Sequence, residues 1–178
     1  IEKTVECRKE SINAFIKLAK KYDNIFLVNV GKTDTNTYTK CKIMLKKNNL
    51  DKRVSFENFV NYEDLPKYYG NTDVVVVLSE LYESFSYTVA QGMSCGKIVI
   101  GSDIGGIPET LNYGRAGLLF KPGDIDNLIE KIKDVYFKKL NVKQFESEAR
   151  TFILRNFSFN VLKPKYLEFY KGQLKSKK

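Results

Sequence analysis

Val74 to Leu78 is an uninterrupted apolar run of four valines and a leucine, with none of the apolar–polar alternation that marks a strand wet on one face. A strand of that kind is covered on both faces, and the usual way to cover both is a parallel sheet flanked by helices. The run therefore predicts an α/β domain with Asp73–Leu78 in the middle of its sheet. The rest of the sequence agrees, because short β-rich runs alternate with stretches of helical period. Apolar residues at Ile12, Phe15, Ile16 and Ala19 predict a helix over 8–21 with one buried face. A strand over 25–30 ends at Gly31 and is followed by a basic helix over 38–48. Further strands are expected over 54–60, 97–101 and 116–120. Helices are expected over 63–70, over 86–94 with a stop at Gly96, and from an Asp124 cap to about Phe137. Two helical segments broken around 156–160 close the chain. The expectation is a Rossmann-like open parallel sheet with helices on both faces.

Composition narrows the chemistry. The chain has 178 residues, enough for one domain, and 43% are hydrophobic, so it folds. It has no histidine, so no Ser-His-Asp or Cys-His nucleophile, histidine-ligated zinc or histidine general base can be built from it. Cys7, Cys41 and Cys95 are odd in number and lack C-x-x-C spacing, which speaks against a disulfide framework or thiolate metal site and for free thiols in a reducing compartment. With 30 Lys and Arg against 21 acids the formal charge is +9. That favours an anionic partner, although the Lys46-Lys47 and Lys138-Lys139 pairs and the terminal lysines read first as a solvated face. Neither a membrane-spanning apolar segment nor a signal-peptide pattern is present, and the chain reads as cytoplasmic.

In an open α/β sheet, ligands bind beyond the carboxyl ends of the strands, where helix N-termini offer free N–H groups. Three segments answer that description: the loop at Gly31, Ser79–Ser86 and Ser102–Glu109. Neither the G-x-G-x-x-G dinucleotide fingerprint nor the P-loop pattern occurs, which sets aside dehydrogenases and P-loop ATPases. The aromatics Phe56, Phe59, Tyr62, Tyr68 and Tyr69 fit strand and helix patterns, so nucleic-acid binding is not expected.

Four pieces in order carry a family resemblance: Ser79-Glu80-Leu81-Tyr82-Glu83-Ser84-Phe85-Ser86, then Gln91-Gly92-Met93-Ser94-Cys95-Gly96, then Ser102-Asp103-Ile104-Gly105-Gly106-Ile107-Pro108-Glu109, then Gly117 through Pro122-Gly123-Asp124. Each piece is weak alone. Together, in this order and spacing, they resemble the C-terminal, donor-binding domain of family 4 retaining glycosyltransferases of the two-domain GT-B architecture. The resemblance implies a hexosyl-type transfer from a nucleotide diphosphate sugar, with UDP or GDP as carrier, to an acceptor hydroxyl, with neither metal nor cofactor. It also implies an N-terminal acceptor-binding domain in the same polypeptide and a chain that starts late within its own domain. On this reading the isolated chain is inactive alone, and a terminal helix over about 157–174 can reach the other domain. A lipid-linked acceptor or an anionic membrane surface on the cytoplasmic side would suit the positive charge.

Site roles follow residue by residue. Glu83 matches the first acid of the family's Glu-seven residues-Glu motif and is the catalytic candidate, contacting donor-sugar hydroxyls; a carboxylate accepts two strong hydrogen bonds there. The bland alternative is an acid placed on a helix dipole. The second acid of the motif is replaced by Gln91, which can accept from ribose hydroxyls without charge assistance. Ser84 and Ser86 replace two glycines. The amides of Phe85, Ser86, Tyr87 and Thr88 form the implied diphosphate cradle, and Gly31 closes the nucleotide side. Arg8 or Lys9 is the expected phosphate-binding cation. Gly105 and Gly106 let their loop approach the ligand or turn tightly, whereas Glu109 reads as a helix-terminal acid. The segment Asn58–Tyr62 follows the strand whose end, in the family, lies beside the base. The departures at Gln91, Ser84 and Ser86 leave a second reading: a non-catalytic relative that binds a nucleotide or a protein partner.

Overall fold

The computed structural model describes residues 9–175, with Lys175 described only as to its backbone. Arg8 and Cys7 lie outside the described residues. The elements in chain order are α1 (Lys9–Ala19), β1 (Leu27–Val30), α2 (Thr35–Lys47), β2 (Val54–Glu57), α3 (Leu65–Gly70), β3 (Val74–Val77), α4 (Tyr87–Ser94), β4 (Ile98–Ser102), α5 (Ile107–Thr110), β5 (Leu118–Phe120), α6 (Ile125–Tyr136), α7 (Val142–Phe157) and α8 (Phe159–Lys175). Each helix and strand named in advance is present, and most bounds move by only a few residues. The α2 helix starts earlier than expected because Asp34 accepts from the Asn36 and Thr37 amides at 3.0 and 2.9 Å and caps it. Asp124 caps α6 in the same way through the Asn127 amide, at 2.9 Å.

All strand pairs are parallel: β1 with β2, β3 with β4, and β4 with β5. Among the described residues they form two sheets, β1-β2 and β3-β4-β5. One expectation needs correction. Among the described residues β3 is paired on one side only, so it is an edge strand, and the middle position belongs to β4. All five β4 residues are buried. Their alternation explains how the three-stranded sheet is covered on both faces. Val99 packs with Val89, Met93, Ile107 and Leu111 from α4, α5 and its following residue, together with Ala149 and Ile153 of α7. Ile98 and Ile100 point to the opposite cluster, with Leu128 and Ile129 of α6 and Leu18 of α1. Burying each such side chain stabilises by about 1.5–3 kcal/mol.

The α1 helix does more than its sequence pattern suggested. Ile12, Phe15, Ile16 and Ala19 enter a cluster with Cys41 and Leu45 of α2 and Val54 of β2. Ala14 and Leu18 enter the cluster against β4 and α6. One helix thus anchors both sheets. Its end is fastened by Arg53, whose guanidinium donates to the carbonyls of Ala19 at 3.1 Å, Tyr22 at 2.6 Å and Ile25 at 3.0 and 2.7 Å. These acceptors include the last carbonyl of α1, a group that helix geometry leaves unpaired. Arg53→Met is expected to lower unfolding free energy by about 2–4 kcal/mol in chemical denaturation, since several charge-assisted bonds to one group are lost together.

Candidate functional site

The site is built on the segment that leaves β3. Ser102 is wholly buried, and its hydroxyl at the end of β4 donates to the carbonyls of Val77 at 3.2 Å and Ser79 at 2.7 Å, fixing the exit of the loop. The far end is held by the loop after β4, where the Gly106 amide donates to the Glu83 carbonyl at 2.7 Å. Both glycines are required by this approach. A Cβ on Gly105 would stand 2.6 Å from the Glu83 carbonyl oxygen, and the residue has φ +58°; a Cβ on Gly106 would overlap the Ser84 carbonyl oxygen outright. Two roles were foreseen for this pair, approach to the ligand and tight turning; the turn is present at Gly105, with its φ of +58°. What they approach is the backbone of the Glu83 loop.

With the loop held, Glu83 is half-buried and Ser86, 1% exposed, stands at the N-cap of α4. The first amides of α4 therefore open at the carboxyl end of the sheet, where their unpaired N–H groups and the helix dipole favour an anion. Phe85 turns away from that opening; its ring rests against Tyr87 and Phe157, at centroid distances of 5.3 and 5.2 Å. It anchors the loop through its side chain, so only its amide is available to a cradle.

One cleft runs past these groups. It brings together Gly31, Glu83, Ser86, Tyr87, Thr88 and Gln91, drawn from the ends of β1 and β3 and from α4. Gly31 sits at φ +127° with its amide bonded to the Glu57 carbonyl at 2.8 Å, closing the β1 side. Asn58 and Phe59, just after β2, also line the cleft. Ser84, Phe85, Gly105 and Gly106 do not line it; they support it from behind. Lys9 is exposed at the start of α1, and the next residue, Glu10, shares a small pocket with Ser79 and Glu80. The N-terminus of α1 thus lies beside the loop that leaves β3, while Arg8 falls outside the described residues.

Two residues were missed by sequence reasoning. Lys32 lines the cleft one residue beyond Gly31 and offers a cation there. Tyr69 donates its hydroxyl to Gln91 Oε1 at 3.2 Å. Burial pushes the Tyr69 phenol up to about 12, so it stays protonated and remains a donor. Gln91 therefore meets a ligand with one acceptor lone pair already used. Nothing in the sequence flagged this pair, because Tyr69 fits the end of a helix and Gln91 the middle of another. Above pH 10 the unfolded chain can ionise Tyr69 and the folded chain cannot, so stability is expected to fall as pH rises from 10 to 12. Tyr69→Phe should lose about 0.5–1.5 kcal/mol near neutral pH and flatten that alkaline decline in pH-dependent denaturation.

Comparison with known proteins decides the family. The family model for glycosyl transferases group 1 matches residues 8–152, most of the chain. The chain belongs to the group 1 glycosyltransferases. Among relatives, it is 29% identical over 130 residues to the N-acetyl-alpha-D-glucosaminyl L-malate synthase of Bacillus anthracis, covering 71% of this chain and 32% of that protein. It is 32% identical over 100 residues to the mannosylfructose-phosphate synthase of Agrobacterium fabrum, covering 56% and 22%. Among solved structures, Anabaena HepE in complex with UDP and glucose superposes with a TM-score of 0.83 at 22% identity, over 93% of this chain and 45% of that one. A glycosyltransferase from Rickettsia africae gives 0.82 at 24%, over 98% and 47%. The fold of this glycosyltransferase chain is thus one half of the GT-B architecture, and the chain spans less than half the length of these relatives. No helix among its described residues is long and apolar enough to cross a membrane.

Proposed function

We propose that this chain is the donor-binding half of a retaining glycosyltransferase that moves a sugar from a nucleotide diphosphate sugar to an acceptor hydroxyl in glycan or glycolipid synthesis. The observation that carries the reading is the convergence of Glu83 and the α4 N-terminus on one cleft at the carboxyl ends of the strands, in a chain of this family. HepE, of the same fold, has been crystallised with UDP, with UDP and glucose, and with UDP-glucose.

The division of labour follows from the geometry. Departure of a nucleoside diphosphate builds negative charge on phosphate oxygens, and the amides of residues 86–88 stabilise it without a titrating side chain. Lys32, and Arg8 or Lys9, supply the cationic complement. The carboxylate of Glu83 accepts from donor-sugar hydroxyls and favours positive charge developing at the anomeric carbon. Gln91 contacts the ribose, and the segment at Asn58–Phe59 borders the base. Ser86, buried at the cap, occupies a place where a smaller residue would allow closer approach, which narrows the donors accepted. The acceptor binds to a second, N-terminal domain of the same polypeptide. The α8 helix, exposed at Phe159, Tyr166, Phe169 and Tyr170, is suited to cross to that domain. The protein works in the cytoplasm, with its positive charge available to an anionic membrane surface or lipid-linked acceptor.

Calorimetric titration with UDP, GDP and their sugars tests the proposal. Saturable one-to-one binding of at least one nucleotide is expected; binding of none would favour the non-catalytic reading. Gln91→Glu should tighten that binding about five- to tenfold, since a carboxylate beside the Tyr69 hydroxyl accepts ribose hydroxyls with charge assistance. Unchanged affinity would remove Gln91 from the ribose site.

A further inference from the structure

The α7 helix carries one stripe that faces α4. Ala149 and Ile153 are buried in the cluster that holds Val89 and Met93 of α4. Arg150, beside them, donates at 2.5 Å to the carbonyl of Ser94, the last residue of α4. Seven residues after Arg150 comes Phe157, the last residue of α7, and seven residues before Ser94 comes Tyr87, the first residue of α4. Two helices of equal rise, lying side by side in opposite directions, stay level over that span of about 10 Å. The end of α7 is thereby delivered to the start of α4, next to the loop that carries Glu83.

What stands there is a ring. Phe157 rests on Phe85 at a centroid distance of 5.2 Å and an interplanar angle of 45°, and Phe152, earlier on α7, backs it at 5.9 Å. Both α7 rings pack on the cluster of Val89 and Met93. The place of Phe157 along the chain is fixed as well. Ser158 turns extended, with φ −68° and ψ 154°, and its carbonyl accepts from the Val161 and Leu162 amides at 3.0 and 2.9 Å, so α7 stops and α8 starts there. Glu83 therefore lies between two fastenings of different kinds. The Gly106 amide donates to its carbonyl at 2.7 Å, and two residues on, the Phe85 ring meets Phe157. One hydrogen bond sets a distance but leaves the loop free to tilt about it; a ring seated on a rigid helix end removes that freedom.

We propose that Phe157 is a positioning residue for the donor site: through Phe85 it sets the tilt of the loop and so the place of the Glu83 carboxylate. The catalytic consequence rests on the role proposed above for Glu83; the coupling of Phe157 to the loop does not.

Two measurements in the whole enzyme test it. In amide hydrogen exchange, Phe157→Leu, which keeps an apolar side chain and removes the ring, should speed the Gly106 amide by at least about tenfold while Val99 and Ile100 stay within about threefold. A uniform rise, the mark of general destabilisation, or no rise at Gly106 would overturn the coupling. For the catalytic consequence, release of nucleoside diphosphate is followed from whichever UDP- or GDP-sugar binds, with Phe157→Leu, Glu83→Gln and the double variant. Phe157→Leu alone should lower kcat about tenfold with KM within about threefold, and Phe157→Tyr, which keeps a ring, should stay within about twofold of the native enzyme. In the Glu83→Gln background Phe157→Leu should cost less than about twofold more, because a residue that acts through Glu83 then has nothing left to position. Losses that multiply would refute the assignment. If no nucleotide sugar binds, or Glu83→Gln leaves kcat intact, the proposed role of Glu83 fails and the catalytic half falls with it, whereas exchange at Gly106 still decides whether Phe157 holds the loop.

Discussion

Glu83→Gln in the whole enzyme is expected to lower kcat by about 100- to 1,000-fold while nucleotide affinity stays within about twofold. The substitution keeps size and polarity and removes only the charge. The Glu83 backbone is held by the Gly106 amide and the close approach of Gly105, so the loop itself should not move. A group that acts on charge developing in the transition state shows its loss in kcat more than in binding. The alternative, an acid placed near α4 only to complement its dipole, predicts a different pattern: a loss of a few tenths of a kcal/mol in stability with transfer unaffected. Steady-state kinetics of the variant beside its thermal unfolding separates the two.

Gly106→Ala is the second large effect. The added Cβ meets the Ser84 carbonyl, which is backbone and cannot swing aside as a side chain would. Relief requires displacing either the loop that carries Glu83 or the start of α5. We expect a loss of about 2–3 kcal/mol and a fall in melting temperature of roughly 5–10 °C, together with weakened nucleotide binding. Gly70→Ala is the control. That residue ends α3 with open space around it and no positive φ, so alanine there should be neutral or slightly stabilising. Equal behaviour of the two variants would show that the approach of the glycine loop to the Glu83 loop is not what shapes the site.

Local chemistry made much of this fold legible in the sequence. The strand expected over 97–101 is found at Ile98–Ser102, and Asp124, read as a cap from its place before an amphipathic stretch, caps α6. The four-valine run was rightly read as a strand but misplaced, because apolarity on both faces reports what a strand is made to be covered by, and the described residues leave one of its edges open. The second buried face of α1 escaped notice for a related reason. Ala14 and Leu18 lie further round the helix from Ile12 and Ile16, and only the position of the second sheet makes them core.

At the site, Glu83 and the α4 cap were readable because they belong to one continuous segment. The bond between Tyr69 and Gln91 was not, since its partners lie on different helices and neither is unusual where it stands. Gly105 and Gly106 announced conformational freedom but not its purpose, which is set by Glu83 and Ser84 more than twenty residues upstream. Spacing along a chain shows which groups share an element; which elements meet is a property of packing.

The proposed function requires a nucleoside diphosphate to seat on the N-terminus of α4. Titrating UDP and GDP into the ¹⁵N-labelled protein and following amide shifts tests it residue by residue. At least one of them should give saturable shifts, largest at the amides of residues 85–88 and extending to Glu83, Gln91 and Lys32, with β5 and α6 little changed. Shifts confined elsewhere, or none at saturating concentrations of both nucleotides, would contradict it.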